Sequence, residues 1–139
     1  MTFEEARSFF ETYHDSVVTT LRRSGAAQMS VVKAGAYQEG VVFVAIGSSA
    51  KLKNLARDPR CTLLTTSDDW SEWGAVQGTV EVRSWDNTNH EELRLELRDA
   101  FRACGGGEHP DWEEYDRVMK EDRREIVLIK PHHVYGQGV

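Results

Sequence analysis

Long apolar runs are missing from this sequence. The longest, Val41-Val42-Phe43-Val44-Ala45-Ile46, is far too short to cross a bilayer. A basic start and an apolar stretch are also missing from Met1-Thr2-Phe3-Glu4-Glu5, so no secretory signal is expected there. Cysteine is scarce: Cys61 and Cys104 stand far apart with no Cys-x-x-Cys pair, which predicts reduced thiols and a cytoplasmic protein. The histidines fall at no ligand spacing, and His132 and His133 would face opposite sides of a strand, so no metal site is expected. Basic residues are outnumbered, 17 Lys+Arg against 23 Asp+Glu for a net charge of −6. That balance argues against a nucleic-acid partner, whose affinity comes largely from phosphate neutralisation. There is no Gly-x-Ser-x-Gly elbow, no P-loop and no Gly-x-Gly-x-x-Gly. The run Gly105-Gly106-Gly107 lies between two helical segments rather than after a strand, as a turn would.

What is present suits one soluble domain. The 139 residues are 40% apolar and 29% charged, and a chain of this length buries roughly 68% of its unfolded surface around a single core. The charge is unevenly spread. Asp86 to Glu125 holds 13 acids and 7 bases, which accounts for the whole −6, and the rest is neutral. Within the neutral part, Lys51, Lys53, Arg57 and Arg60 cluster against Asp58 alone.

The periodicity predicts a mainly β chain with short helices. Thr2 to Phe10 reads as a helix opened by a capping box, Thr2 with Glu5. Ser16–Leu21, Gln28–Lys33 and Val41–Ile46 read as strands of an antiparallel meander, with Gly35 to Gly40 as the second connection. Ser49 is the expected N-cap of a two-turn helix, Ala50–Arg57, stopped by Asp58-Pro59. Cys61–Thr66 and Trp73–Ser84 are the next strands, separated by a polar loop carrying Trp70. Leu93, Leu97, Ala100, Phe101 and Cys104 form one helical stripe, and Trp112, Tyr115, Val118 and Met119 a second. Both stripes are expected to be packing faces. A sixth strand starts at Glu125 and extends to Tyr135, and six such strands favour a small β-barrel.

The best candidate site is the strand–loop–helix unit from Val44 to Leu55. The first amides of the Ala50 helix are unsatisfied, the helix dipole adds positive charge, and Ser49, Lys51 and Lys53 surround them. Together they would cradle a phosphate.

Ser49-x-Lys51-x-x-Asn54-Leu55 followed by Arg57-Asp58-Pro59-Arg60 resembles the pyridoxamine 5′-phosphate oxidase-like split barrels. Val18-Thr19-Thr20-Leu21-x-x-Ser24-Gly25, Gln28-Met29-Ser30-Val31, the strand from Trp73 to Val82 and the segment Val127–Gly136 are similar to further parts of that superfamily. The resemblance implies a six-stranded antiparallel split β-barrel of the FMN-binding type, forming a homodimer with cofactor at the interface. It implies that Ser49 and Lys51, with Ser48 and Ala50 beside them, hold the cofactor phosphate. The segments Met29-Ser30-Val31 and Val44-Ala45-Ile46 would line the ring system, and Trp73 would pack near it. Pyridoxine-phosphate oxidases usually carry Arg where this chain has Gln28 and Ala50, and Gln where it has Trp73. Their Arg- and His-rich C-terminal substrate motif has no counterpart after Pro131. The resemblance therefore points away from vitamin oxidation and toward the branch that uses the deazaflavin coenzyme F420. The activity it implies is hydride transfer from reduced F420 to a small conjugated acceptor, with FMN as the alternative cofactor. A non-catalytic flavin- or tetrapyrrole-binding protein is the alternative from another class. No side chain stands out as a catalytic residue.

Overall fold

The computed structural model describes all 139 residues. Helix α1 (Phe3–Thr12) begins as its capping box predicts, with the Glu5 amide donating to Thr2 Oγ1 at 3.2 Å. Strands β1 (Asp15–Leu21), β2 (Ala27–Tyr37) and β3 (Gly40–Ile46) follow as a meander. After helix α2 (Ala50–Arg57) come β4 (Arg60–Thr66) and β5 (Trp73–Arg83). Helix α3 (His90–Phe101), a wide helical turn (Arg102–Gly106) and helix α4 (Trp112–Glu121) then lead to β6 (Arg124–Gln137). Every strand pairing is antiparallel, and the order β1-β2-β3-β6-β5-β4 closes on itself through β1 and β4. No helix is long and apolar enough to cross a membrane.

Strand alternation divides the apolar residues between two cores. Val41, Phe43 and Ala45 point into the barrel with Val18, Leu63, Val76, Val127 and Ile129. Phe3, Ala6 and Phe10 of α1 close the end where β1 begins, and Leu52 and Leu55 of α2 join the core at the other end. There Asn54 Nδ2 donates to Thr20 Oγ1 at 3.1 Å, and Arg57 Nη2 to the Leu21 carbonyl at 2.7 Å. Val42, Ile126 and Leu128 point outward and are covered by Trp85, Leu93, Leu97, Ala100 and Tyr115. Strand β3 is thus buried on both sides through most of its length, which is why its sequence is a continuous apolar run instead of an alternation.

The late helices are capped and charge-paired. Asn89 and Asp111 accept first-turn amides of α3 and α4, and Asp116 on α4 pairs with both Arg94 and Arg98 on α3. Tyr115 inserts between them and donates its hydroxyl to the Leu97 carbonyl at 2.7 Å. Tyr115→Phe should therefore cost about 1 kcal/mol, the net contribution of one buried neutral hydrogen bond. Thermal unfolding would register it as a fall of roughly 2–5 °C; an unchanged Tm would mean that this bond contributes nothing.

Two details depart from the sequence reading. The Gly35–Gly40 connection is shorter than expected, because β2 runs on to Tyr37 and only Gln38 and Glu39 turn the chain. Gly35 is a strand residue opposite Val42, and the Ala103 carbonyl oxygen lies 1.8 Å from where its Cβ would be. The second departure is in β6, where His132 is an extra residue between Pro131, opposite Gly78, and His133, opposite Gln77. The bulge places Pro131, which has no amide hydrogen, where the ladder is already interrupted.

Candidate functional site

The outer faces of β2 and β3, the loop Gly47-Ser48-Ser49 with the start of α2, and the wall formed by α3, α4 and their connection enclose a pocket of about 870 Å³. Six of the predicted site residues line it: Val31, Val44, Ala45, Ile46, Ser49 and Lys51. The other five do not. Met29 lies one strand repeat beyond Val31, 65% exposed, and Ser30 pairs with Val18. Ser48 and Ala50 are exposed beside Ser49. Trp73 opens β5, opposite Thr66 and Gln137, with its ring edge-on to Tyr135 at 5.9 Å.

The phosphate-cradle geometry begins with Ser49. It occupies the N-cap position of α2, but its side chain makes no capping bond. Its Oγ is instead buried without a hydrogen-bond partner, the one such side-chain atom in the molecule. A buried hydroxyl without a partner costs about 1–3 kcal/mol, which a ligand at this spot would recover. The amides of Ala50, Lys51 and Leu52 have no helical carbonyl behind them. The other three α-helices each carry two acids in the first turn and a side-chain cap, whereas α2 has neither. Among the cations lining the pocket, Lys33 pairs with Asp15 and Arg124 with Asp122, while Lys51 has no carboxylate partner.

One carboxylate lies under this loop. Glu125 packs so close to Gly47 that a Cβ there would sit 2.4 Å from its Oε2. Burial, with Asp86 nearby, raises its pKa above the ordinary carboxylate range, against a smaller opposing effect of Arg123. A raised folded-state pKa means the native protein binds this proton more tightly than the unfolded chain. Ionised Glu125 therefore weakens the fold at neutral pH, and the penalty fades as pH falls through the raised pKa. Glu125→Gln should increase Tm at pH 7, with the advantage vanishing below the ordinary carboxylate range. An equal gain at both pH values would refute this assignment.

The opposite wall was not anticipated from the sequence. Ala100, Phe101 and Cys104 of the first late stripe, and Tyr115, Val118 and Met119 of the second, line the pocket with His14, Gly105, Gly106, His109, Glu114 and Arg124. Leu93 and Leu97 pack as expected, so the C-terminal half of the same stripe serves a second purpose. Phe101, His109, Trp112 and Tyr115 form an aromatic cluster with centroid separations of 5.2–5.7 Å, Phe101, Trp112 and Tyr115 edge-on to one another and His109 tilted against Trp112 and Tyr115. Burial pushes the Cys104 thiol up to about 12, and its Sγ–H donates to the Val42 carbonyl. It is a neutral wall group, not a nucleophile.

A closed six-stranded antiparallel barrel with short helices, bearing such a pocket on its outer face, is a split barrel. The sequence profile of the pyridoxamine 5′-phosphate oxidase family matches residues 2–138, and the chain belongs to that family. Among solved structures, a conserved hypothetical protein of Mycobacterium tuberculosis superposes with a TM-score of 0.79 at 17% identity, over 99% of this chain and 84% of that one. An F420 reductase superposes with a TM-score of 0.65 at 18% identity, covering 93% and 94% of the two chains. A pyridoxamine 5′-phosphate oxidase-related, FMN-binding protein of Nostoc punctiforme matches with a TM-score of 0.65 at 14% identity, covering 96% and 78%. At these identities the likeness is one of fold.

Proposed function

We propose that this protein binds the phosphorylated deazaflavin coenzyme F420 and, with the coenzyme reduced, transfers a hydride to a small conjugated organic acceptor. The observation that carries this reading is the buried, unpartnered Ser49 Oγ at the N-terminus of α2, beside the unpaired Lys51. A phosphate there would accept from the Ser49 hydroxyl, the first-turn amides and the Lys51 ammonium. Reduced deazaflavin supplies the hydride chemistry when bound. The protein's residues provide the rest. Val31, Val44 and Ile46 offer an apolar face for a flat ring, and Phe101, Cys104 and Met119 exclude water from the opposite side.

The exposed outer face of β2 supports a homodimer with cofactor at its interface. Met29 is 65% and Val31 82% exposed, adjacent along one strand face. A second copy would cover both, bringing Met29, and Ser30 through its backbone, into the ring environment and setting Trp73 near it. The free thiols Cys61 and Cys104 fit a cytoplasmic location.

Titrating the apo-protein separately with F420 and FMN, followed by tryptophan quenching, tests the cofactor choice. Tighter binding of F420 is expected. Much tighter binding of FMN would transfer the same reading to that cofactor, and binding of neither would overturn it.

A further inference from the structure

We propose that His14 is the proton donor of this site, matching the hydride with a proton during reduction of an α,β-unsaturated carbonyl compound; the inference rests on the cofactor function proposed above. Hydride addition to a polarised C=C bond leaves the acceptor one proton short, and a proton-exchanging group facing the pocket would supply it directly. Most candidates are otherwise engaged. Cys104 and Tyr115 donate to the carbonyls of Val42 and Leu97. Lys33 and Arg124 are ion-paired, Lys51 stands at the phosphate end, and Glu114 is exposed on α4. The two histidines remain.

Their hydrogen bonds assign them opposite roles. The Asp111 amide donates to His109 Nδ1 at 2.9 Å, so the hydrogen of that ring resides on Nε2, and protonating Nδ1 would set N–H against N–H. His109 therefore has its accepting nitrogen already occupied by that amide. His14 Nδ1 lies 2.8 Å from the Ala34 carbonyl oxygen, which can only accept, so the ring hydrogen sits on this nitrogen. The exchanging nitrogen is Nε2, which has no protein partner and is not sealed from solvent. An imidazole that lines the cavity, held at Nδ1 by a backbone carbonyl and unpartnered at Nε2, is arranged for proton transfer.

The surroundings keep the ring in place. The Ala34 amide also donates to the His14 carbonyl at 2.9 Å, tying the residue to β2 twice. Gly105, at φ +89°, leaves room for the ring, since a Cβ there would lie 2.5 Å from Cδ2 and 3.0 Å from Nε2. Charged groups on the elements packed around His14 are the Lys33–Asp15 pair on β2 and β1, Glu11 on α1, and Arg102 in the wide turn. Arg102 is itself paired with Asp99 and Glu108.

The step balances as follows. With reduced deazaflavin or flavin bound, hydride delivered to the β-carbon would move the C=C π pair onto the carbonyl as an enolate. The Nε2–H bond of the His14 imidazolium breaks, its proton bonds the α-carbon, and the carbonyl re-forms. The acceptor gains two electrons and two hydrogens, the cofactor is left oxidised, and neutral His14 regains a proton from water.

His14→Asn tests this, because its Nδ2 amide stands where Nδ1 does and can still donate to the Ala34 carbonyl. With cofactor-loaded protein and 2-cyclohexen-1-one as probe, kcat should fall by about 100- to 10,000-fold. Cofactor affinity measured by tryptophan quenching should be unchanged, and the parent's loss of rate as pH rises should disappear. Nitrogen-15 spectra of the parent apo-protein should show the His14 ring hydrogen on Nδ1, with Nε2 free of a protein partner, a readout independent of turnover and of the variant's folding. A variant with parental rate and pH profile, or a ring hydrogen placed on Nε2 with Nδ1 free, overturns the assignment. A parent that binds cofactor but reduces no unsaturated carbonyl overturns it and leaves cofactor binding standing. A parent that binds neither cofactor overturns both.

Discussion

Gly35→Ala is expected to destabilise the protein by about 1–3 kcal/mol, the usual scale for forcing a methyl into a filled space. The reason is a backbone collision. The added Cβ would stand 1.8 Å from the Ala103 carbonyl oxygen and 2.6 Å from its carbon. A long side chain could swing away, but Ala103 belongs to the wide turn Arg102–Gly106, so the whole connection must move. That connection carries Cys104, Gly105 and Gly106 on the pocket wall and sits against His14. Cofactor affinity should therefore fall together with stability, by about tenfold or more if one hydrogen bond's worth of wall contact is lost. Urea unfolding and a fluorescence titration on the same variant check both. Parental values for the two would mean that β2 and the turn are not in the contact described.

The second large effect concerns the phosphate cradle. Lys51→Ala should weaken FMN or F420 binding by about 1–3 kcal/mol, the scale of a charge-assisted hydrogen bond. Binding of riboflavin, which has the ring but no phosphate, should not change. Ser49→Ala has a signature of its own. In the ligand-free protein it removes a buried hydroxyl that bonds to nothing, so stability should hold or rise by up to about 1 kcal/mol. Binding should weaken. A hydroxyl that merely capped its helix would behave the other way, with stability falling by about 1 kcal/mol and affinity unaffected. Equal losses for FMN and riboflavin in the Lys51 variant would place the phosphate elsewhere.

Features decided within a few residues were legible in the sequence. The Thr2–Glu5 capping box starts α1, Asp58-Pro59 ends α2, and the run Val41–Ile46 is a strand. That Ser49 and Lys51 stand together at the start of α2 could be read for the same reason, since a loop entering a basic helix is a local pattern. Features decided by distant contacts were not. Gly35 looks like a turn residue until Ala103, far along the chain, is seen lying over it. Ser49 has the residue type and position of an N-cap, and only its burial without a partner reveals that its hydroxyl is free for something else. The stripe from Leu93 to Cys104 has a single periodicity, yet Leu93 meets the outer core whereas Cys104 faces the cavity. His14 gave no signal, because its role depends on the Ala34 carbonyl fixing one nitrogen and Gly105 leaving space beside the other.

Strands β5 and β6 are direct partners in the barrel, and the segment from Ser84 to Arg123 is a detour between them. It closes no strand pair, so the six-stranded ring is complete without it. The detour holds 12 acids and 6 bases and therefore carries the entire net charge of −6. Half of the residues lining the pocket, and the whole acid excess of the chain, thus lie on one segment, while Lys33, Lys51 and Arg124 stay with the ring. Grafting segments of different length or charge between Arg83 and Arg124, with the residues that cover Val42, Ile126 and Leu128 and the Ala103 contact on Gly35 retained, would rewrite one wall of the pocket while the strand ring and the Ser49–Lys51 side stay as they are.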